Sequence, residues 1–101
     1  MAWFNEIIHQ PVRLRIMAAL HALPEDAQLD FKALRDMLDV TDGNLATHLR
    51  KLEDAGYIAV KKTFVGRRPR TYIALTPKGR QAFVGHVQAL RDILAAAGGE
   101  E

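Results

Sequence analysis

The sequence predicts a mainly helical α+β domain with a small β-hairpin, in the order helix, helix, helix, hairpin, helix. Three observations carry this prediction. Apolar residues recur at helical spacing in stretches before residue 55 and again after residue 76. Between these, Ile58 to Leu75 changes to a period of two around a glycine-containing tip. Pro11 and Pro77 suit first helical positions, Gly56 suits a left-handed stop and Gly98-Gly99 ends the last helix, so the punctuation falls at matching ends.

Each element has its own signal. Trp3, Phe4, Ile7 and Ile8 fall on one side of a short helical turn. Pro11 then opens a fresh helix, where its missing N–H is no loss, and Val12, Ile16, Leu20 and Leu23 repeat along it up to Pro24. Pro24-Glu25-Asp26 reads as a loop and Gln28-Leu29 as a very short strand. Asp30 can cap the next helix, whose Phe31, Leu34, Met37 and Leu38 predict a buried stripe. After the tight connection Asp39-Val40-Thr41, Thr41 can cap a third helix. Its Leu45, Leu49 and Leu52, spaced four and three apart, face inward.

Beyond Gly56, Ile58, Val60, Lys62 and Phe64 alternate with Ala59, Lys61 and Thr63, the pattern of a strand. Thr71 to Leu75 is its expected return partner, across the tip Gly66-Arg67-Arg68-Pro69-Arg70. Thr76 caps the last helix, and Phe83, Val87, Leu90, Leu94 and Ala97 run along it.

A chain of 101 residues that is 49% apolar and 26% charged fits one globular domain, spanning 1–101. The absence of cysteine excludes disulfides, zinc fingers and thiol redox chemistry. No apolar run approaches the roughly 20 residues that span a bilayer, and no signal peptide is visible, so a cytoplasmic location without membrane contact is expected. The net charge of +2 conceals an asymmetry: from Ala55 to Arg80 there are seven Lys or Arg residues and no Asp or Glu. Concentrated basicity of this kind points to a polyanionic partner.

A helix able to enter a groove, followed by a basic two-stranded flap, is the pattern of a winged helix-turn-helix, and it predicts duplex DNA as the partner. The inward leucines of the third helix leave Gly43, Asn44, Thr47, His48 and Lys51 pointing out, with Arg50 toward one edge. Asn, Thr and His can hydrogen-bond base edges or phosphates, and Lys51 can reach a phosphate. Gly43 and Ala46 are small enough to let the helix start approach a backbone closely. Asp42 reads as a residue favourable to the helix dipole rather than as a contact.

On the flap, Arg67, Arg68 and Arg70 surround Pro69, which stiffens the tip. Guanidinium groups there can bind phosphate or enter a narrow minor groove. Lys61 and Lys62 must face opposite sides, so only one shares the surface of the third helix; Lys62 is carried as the candidate, although the pattern does not decide between them. Arg13 can reach a flanking phosphate or pair with Asp36 or Asp39. Lys78 and Arg80 start the last helix, where they oppose its dipole.

The stripe of the last helix is longer than one small core needs. With residues 1–10 it offers residues 76–97 as a homodimer surface, the alternative being intramolecular packing of the N-terminal segment on the last helix. Catalysis has little support, for there is no phosphate loop, paired-histidine metal motif or Ser-His-Asp spacing, and His9, His21, His48 and His86 are scattered over separate elements. No cofactor is expected. A winged-helix module that binds protein rather than DNA is the competing reading, since fold does not fix function.

The chain resembles the compact winged-helix transcriptional regulators related to the MarR and ArsR families. The resemblance is carried by Pro11-Val12-Arg13-Leu14-Arg15-Ile16 and by Asp42-Gly43-Asn44-Leu45 through His48-Leu49-Arg50-Lys51-Leu52-Glu53-Asp54-Ala55-Gly56-Tyr57-Ile58. Gly66-Arg67-Arg68-Pro69-Arg70-Thr71 and Leu75-Thr76-Pro77-Lys78-Gly79-Arg80 complete it. It implies a dimeric DNA-binding repressor or activator, with Asn44, Thr47, His48 and Lys51 on the recognition helix and wing contacts at Arg67, Arg68 and Arg70. The cysteine metal motif of many ArsR-type sensors and the long extra helices of MarR-type effector pockets are both absent, so neither form of switching is carried over.

Overall fold

Capping side chains set most of the helix boundaries. In the computed structural model, which describes residues 4–98, α1 spans Glu6–His9, α2 Pro11–His21, α3 Phe31–Leu38, α4 Asp42–Asp54 and α5 Pro77–Ala96. Asn5, Gln10, Asp30, Thr41 and Thr76 each precede a helix, and the side-chain oxygen of each accepts a backbone N–H of its first turn. Pro11 and Pro77 both lie in the first turn. Trp3 and Gly99, to which the sequence assigns packing and a helix stop, lie outside the described residues.

Three strands accompany the helices: β1 Leu29–Asp30, β2 Ile58–Val65 and β3 Arg68–Leu75, in the antiparallel order β1-β3-β2. Two features of the sheet differ from the sequence reading. The short strand lies one residue later than Gln28-Leu29 and pairs with β3, so the hairpin is extended to three strands. The return strand starts at Arg68, not Thr71, because Val65 pairs with Arg68 and only Gly66 and Arg67 remain in the loop. Gly66 has φ +66°, the positive value that the first position of a type II′ turn demands. In such a two-residue hairpin the closing pair is hydrogen-bonded. Pro69, opposite Phe64, therefore falls in a non-hydrogen-bonded pair and removes no ladder bond.

The core gathers Ile8, Ile16, Met17, Leu20, Leu34, Leu38, Leu45, Leu49, Leu52, Ile58, Ile73 and Phe83. The leucine triplet of α4 is buried as its spacing predicts. Met37, expected in the stripe of α3, is 56% exposed. It lies about 90° around the helix from the mean direction of Phe31, Leu34 and Leu38, and this two-turn helix buries a single side. Phe64 is also outside the core, because β2 continues past the helices it packs on.

Two joints hold α3, α4 and α5 in place. Asp39 takes a left-handed φ of 57° between α3 and α4, and its N–H is accepted by Arg35 O. At the far end of α4, Gly56 (φ +81°) makes the stop, and Thr76 Oγ1 donates to Gly56 O (2.7 Å) while accepting from Gly79 N (2.9 Å). A Cβ on Gly79 would stand 2.0 Å from Tyr57 O, so only glycine allows α5 to start this close to the turn. Lys78 lies over the Tyr57 ring at 5.8 Å. From this joint α5 runs about 30 Å and carries its last residues, 91–98, clear of the core, in a molecule measuring 55 × 25 × 23 Å.

Candidate nucleic-acid interface

The buried leucines of α4 turn Gly43, Asn44, Ala46, Thr47, Arg50 and Lys51 to the outside, and all six are exposed. Their chemistry is more defined than residue type alone allows. Thr41 Oγ1 accepts the Asn44 backbone N–H (3.1 Å), and the Asn44 side chain lies on the exposed face of the first turn. Thr47 Oγ1 donates to Gly43 O (2.9 Å), so its proton is committed and it presents a lone pair and a methyl group. No atom lies within 4 Å of a Cβ placed on Gly43. Nothing inside the molecule therefore requires glycine there.

His48 is half-buried rather than fully outward. Its Nδ1 accepts from Arg13 Nη1 at 3.1 Å, and Arg13 Nε donates to Ile7 O. Arg13 thus joins α1, α2 and α4 and pairs with neither Asp36 nor Asp39. With Nδ1 occupied by an obligate donor, neutral His48 must carry its proton on Nε2 and acts there as a donor only. Burial pushes the His48 imidazole below its ordinary value, and the Arg13 charge adds to this.

The two acids flanking the start of α4 are held by one cation. Arg35 Nη1 donates to Asp42 Oδ1 (2.8 Å) and Arg35 Nη2 to Asp36 Oδ1 (3.0 Å). Asp42 occupies the first turn of α4, where its charge is favourable to the dipole, and Arg35 offsets that charge at the surface.

Strand alternation settles which lysine shares the α4 surface. Ile58, Val60, Lys62 and Phe64 lie on the inner face, opposite Leu75, Ile73, Thr71 and Pro69; Lys61, Thr63 and Val65 lie on the outer face, opposite Tyr72, Arg70 and Arg68. Lys62 lines a groove of about 310 Å³ between α4 and the sheet, together with Ala46, Leu49, Arg50, Glu53 and Val60. Arg50 and Lys62, from different elements, meet at this groove, and Glu53 borders it. The three arginines of the wing separate. Arg67 and Arg68 are exposed at the tip, whereas Arg70 is partly buried on the outer face, its Nη1 3.6 Å from Asp30 Oδ2. Register explains this ion pair, since Asp30 is opposite Tyr72 on the same face as Arg70.

A histidine pair absent from the sequence reading lies away from this surface. His86 of α5 is fully buried; its Nδ1 accepts the Asn5 N–H (2.9 Å), and its Nε2 lies 3.3 Å from His9 Nδ1. Phe4 packs against both rings, at 4.5 and 5.0 Å between centroids. Asn5 Nδ2 also donates to Tyr57 Oη (2.8 Å). The only signal available in the sequence was an isolated histidine on the apolar stripe of α5. Burial lowers the proton affinity of His86, His9 lowers it further and Glu6 opposes. Among the described residues no group of three or more His, Cys, Asp or Glu side chains could hold a metal ion, and no helix is long and apolar enough to cross a membrane.

An exposed polar helix face beside a basic hairpin is the geometry of a groove reader, and a family model for the winged helix DNA-binding domain matches residues 12–94. The chain belongs to this winged helix family. It is 39% identical over 82 residues to an uncharacterized protein of Methanocaldococcus jannaschii, covering 81% of this chain and 86% of that one. A transcriptional regulator homologue from Pyrococcus horikoshii OT3 superposes with a TM-score of 0.81 at 30% identity, covering 92% of this chain and 89% of the other. A MarR-family protein from Enterococcus faecalis V583 shares the fold, with a TM-score of 0.70 at 22% identity and coverage of 92% and 80%. The winged helix chain is thus a DNA-binding regulator, and its family and fold are those of transcriptional regulators.

Proposed function

We propose that α4 docks in the major groove of duplex DNA, with Asn44, Thr47 and the Nε2–H of His48 toward base edges. Arg50, Lys51 and Lys62 then lie along phosphates, and Arg67 and Arg68 hold the flanking backbone or minor groove. Arg70, tied to Asp30, supports the wing and is the weakest of its three contacts. The observation that carries this reading is the single surface on which the exposed face of α4 and the Lys62 face of the wing meet. Two copies joined through residues 1–10 and 76–97 would present two such surfaces to half-sites about one helical turn apart. The exposed Ile93 and Leu94 on the last turns of α5 support this pairing, since both are apolar and more than half exposed in the described chain. Occupying a promoter and excluding polymerase is then the mode of repression. No cofactor or catalytic step enters, and an intracellular site follows from the DNA target.

Binding to random-sequence and selected duplexes over a salt series tests the reading. Affinity should fall steeply with salt, with a slope of roughly −0.9 per phosphate contacted. Affinity that is insensitive to salt contradicts it. Sedimentation at micromolar concentration tests the pairing, and an 11.3 kDa species alone would reject it.

A further inference from the structure

We propose that Phe64 and Pro69 form an apolar wedge with which the wing packs into the minor groove of the bound duplex. The inference rests on the DNA-binding reading above and adds a non-ionic contact to it. Phe64 is 70% exposed, the largest exposure among the large apolar side chains of the described chain. It pairs across the hairpin with Pro69, on the face that also carries Lys62 and Thr71. On the opposite face of the same tip, Val65 is 51% exposed beside Arg68. The tip therefore exposes an apolar side chain on each face and ends in Arg67.

This form selects one occupant. A flat protein partner would cover one face of the hairpin and leave the other wet. A groove with two walls covers both. The minor groove is about 6 Å wide, admits the edge of an aromatic ring, and is the site where proteins insert apolar wedges beside arginines. Charge points the same way: Lys62 shares the face of the pair, Arg67 and Arg68 follow at the tip, and no acid occurs in the sequence from Ala55 to Arg80. The cost to the free protein is also visible. Phe64 lies on β2, an edge strand, where an exposed aromatic invites pairing with other chains. The ring takes no part in the hydrophobic core of the described residues.

The test is titration of wild type, Phe64→Ala and Phe64→Leu against the duplex that wild type selects from a random pool, over a salt series. Phe64→Ala should weaken binding roughly fivefold or more at every salt concentration, giving a parallel line of unchanged slope, while Phe64→Leu keeps most of the affinity. Arg67→Ala should instead make the slope shallower by about one. Melting of the free protein should be unchanged, because the ring is exposed. Binding by Phe64→Ala within twofold of wild type, or a loss that appears as a changed slope, overturns the wedge and leaves DNA binding standing. Failure of wild type itself to bind any duplex overturns both.

Discussion

Helix α4 and the wing share one surface but are held in opposite ways. Three buried leucines, a threonine cap and the Gly56–Thr76–Gly79 joint fix α4 at both ends. The wing beyond Lys62 and Thr71 has no such backing; residues 64–69 are all exposed. A rigid element can hold hydrogen-bonding groups in register with base edges, which readout demands. A projecting hairpin supported by its own ladder and the single Arg70–Asp30 ion pair cannot hold such register, but it can carry charge and apolar surface into a groove of variable width. The difference divides specificity from affinity between the two regions.

Removing the backing of α4 should have the largest effect. Leu45→Ala should cost about 2–5 kcal/mol, read as a lower urea midpoint. The same truncation at Val65, on the wing, should stay within about 0.5 kcal/mol. Equal losses at the two sites would show that the wing is as tightly integrated as the helix.

Acidification acts on a third region and leaves the wing alone. The folded state holds His86 below its ordinary value of 6.5, so the unfolded chain takes up the proton first as pH falls. The stability that neutral His86 contributes is complete above about pH 6.5 and is lost as pH drops toward the folded value. Protonation places a second donor against the Asn5 N–H, which should release α1 from α5. Urea midpoints between pH 7.5 and 5.5 should decline, and His86→Asn should flatten the decline in part, because His48 is shifted in the same direction.

Gly43→Ala meets no neighbouring atom and exchanges glycine for a better helix former, so the free protein should gain up to about 1 kcal/mol. DNA affinity should nevertheless fall, if the helix start is kept bare for close approach to a backbone. Gains in both would remove that role from Gly43.

How far the sequence discloses these regions follows from which interactions are local. Periodicity disclosed the leucine side of α4, the hairpin and the long α5, because each depends on neighbours three, four or two residues away. Caps at Asp30, Thr41 and Thr76 were legible for the same reason. What the pattern did not disclose are pairings across the fold. Arg13 meets His48, Arg70 meets Asp30 and His9 meets His86 only after the helices pack and the strands take their register. The outward reading of His48 changed most, from a free side chain to a donor held by Arg13. Exposure at Met37 and Phe64 was hidden too, since spacing tells which way a side chain points but not whether anything stands opposite.

The division of labour is tested most directly by a ratio: affinity for the selected duplex over affinity for a scrambled duplex of equal length, at fixed salt. For Asn44→Ala with Thr47→Ala this ratio should fall toward one, while affinity for the scrambled duplex changes little. For Arg67→Ala with Arg68→Ala both affinities should fall together and the ratio should stay near the wild-type value. A ratio that collapses with the wing arginines and survives loss of Asn44 and Thr47 would contradict the account.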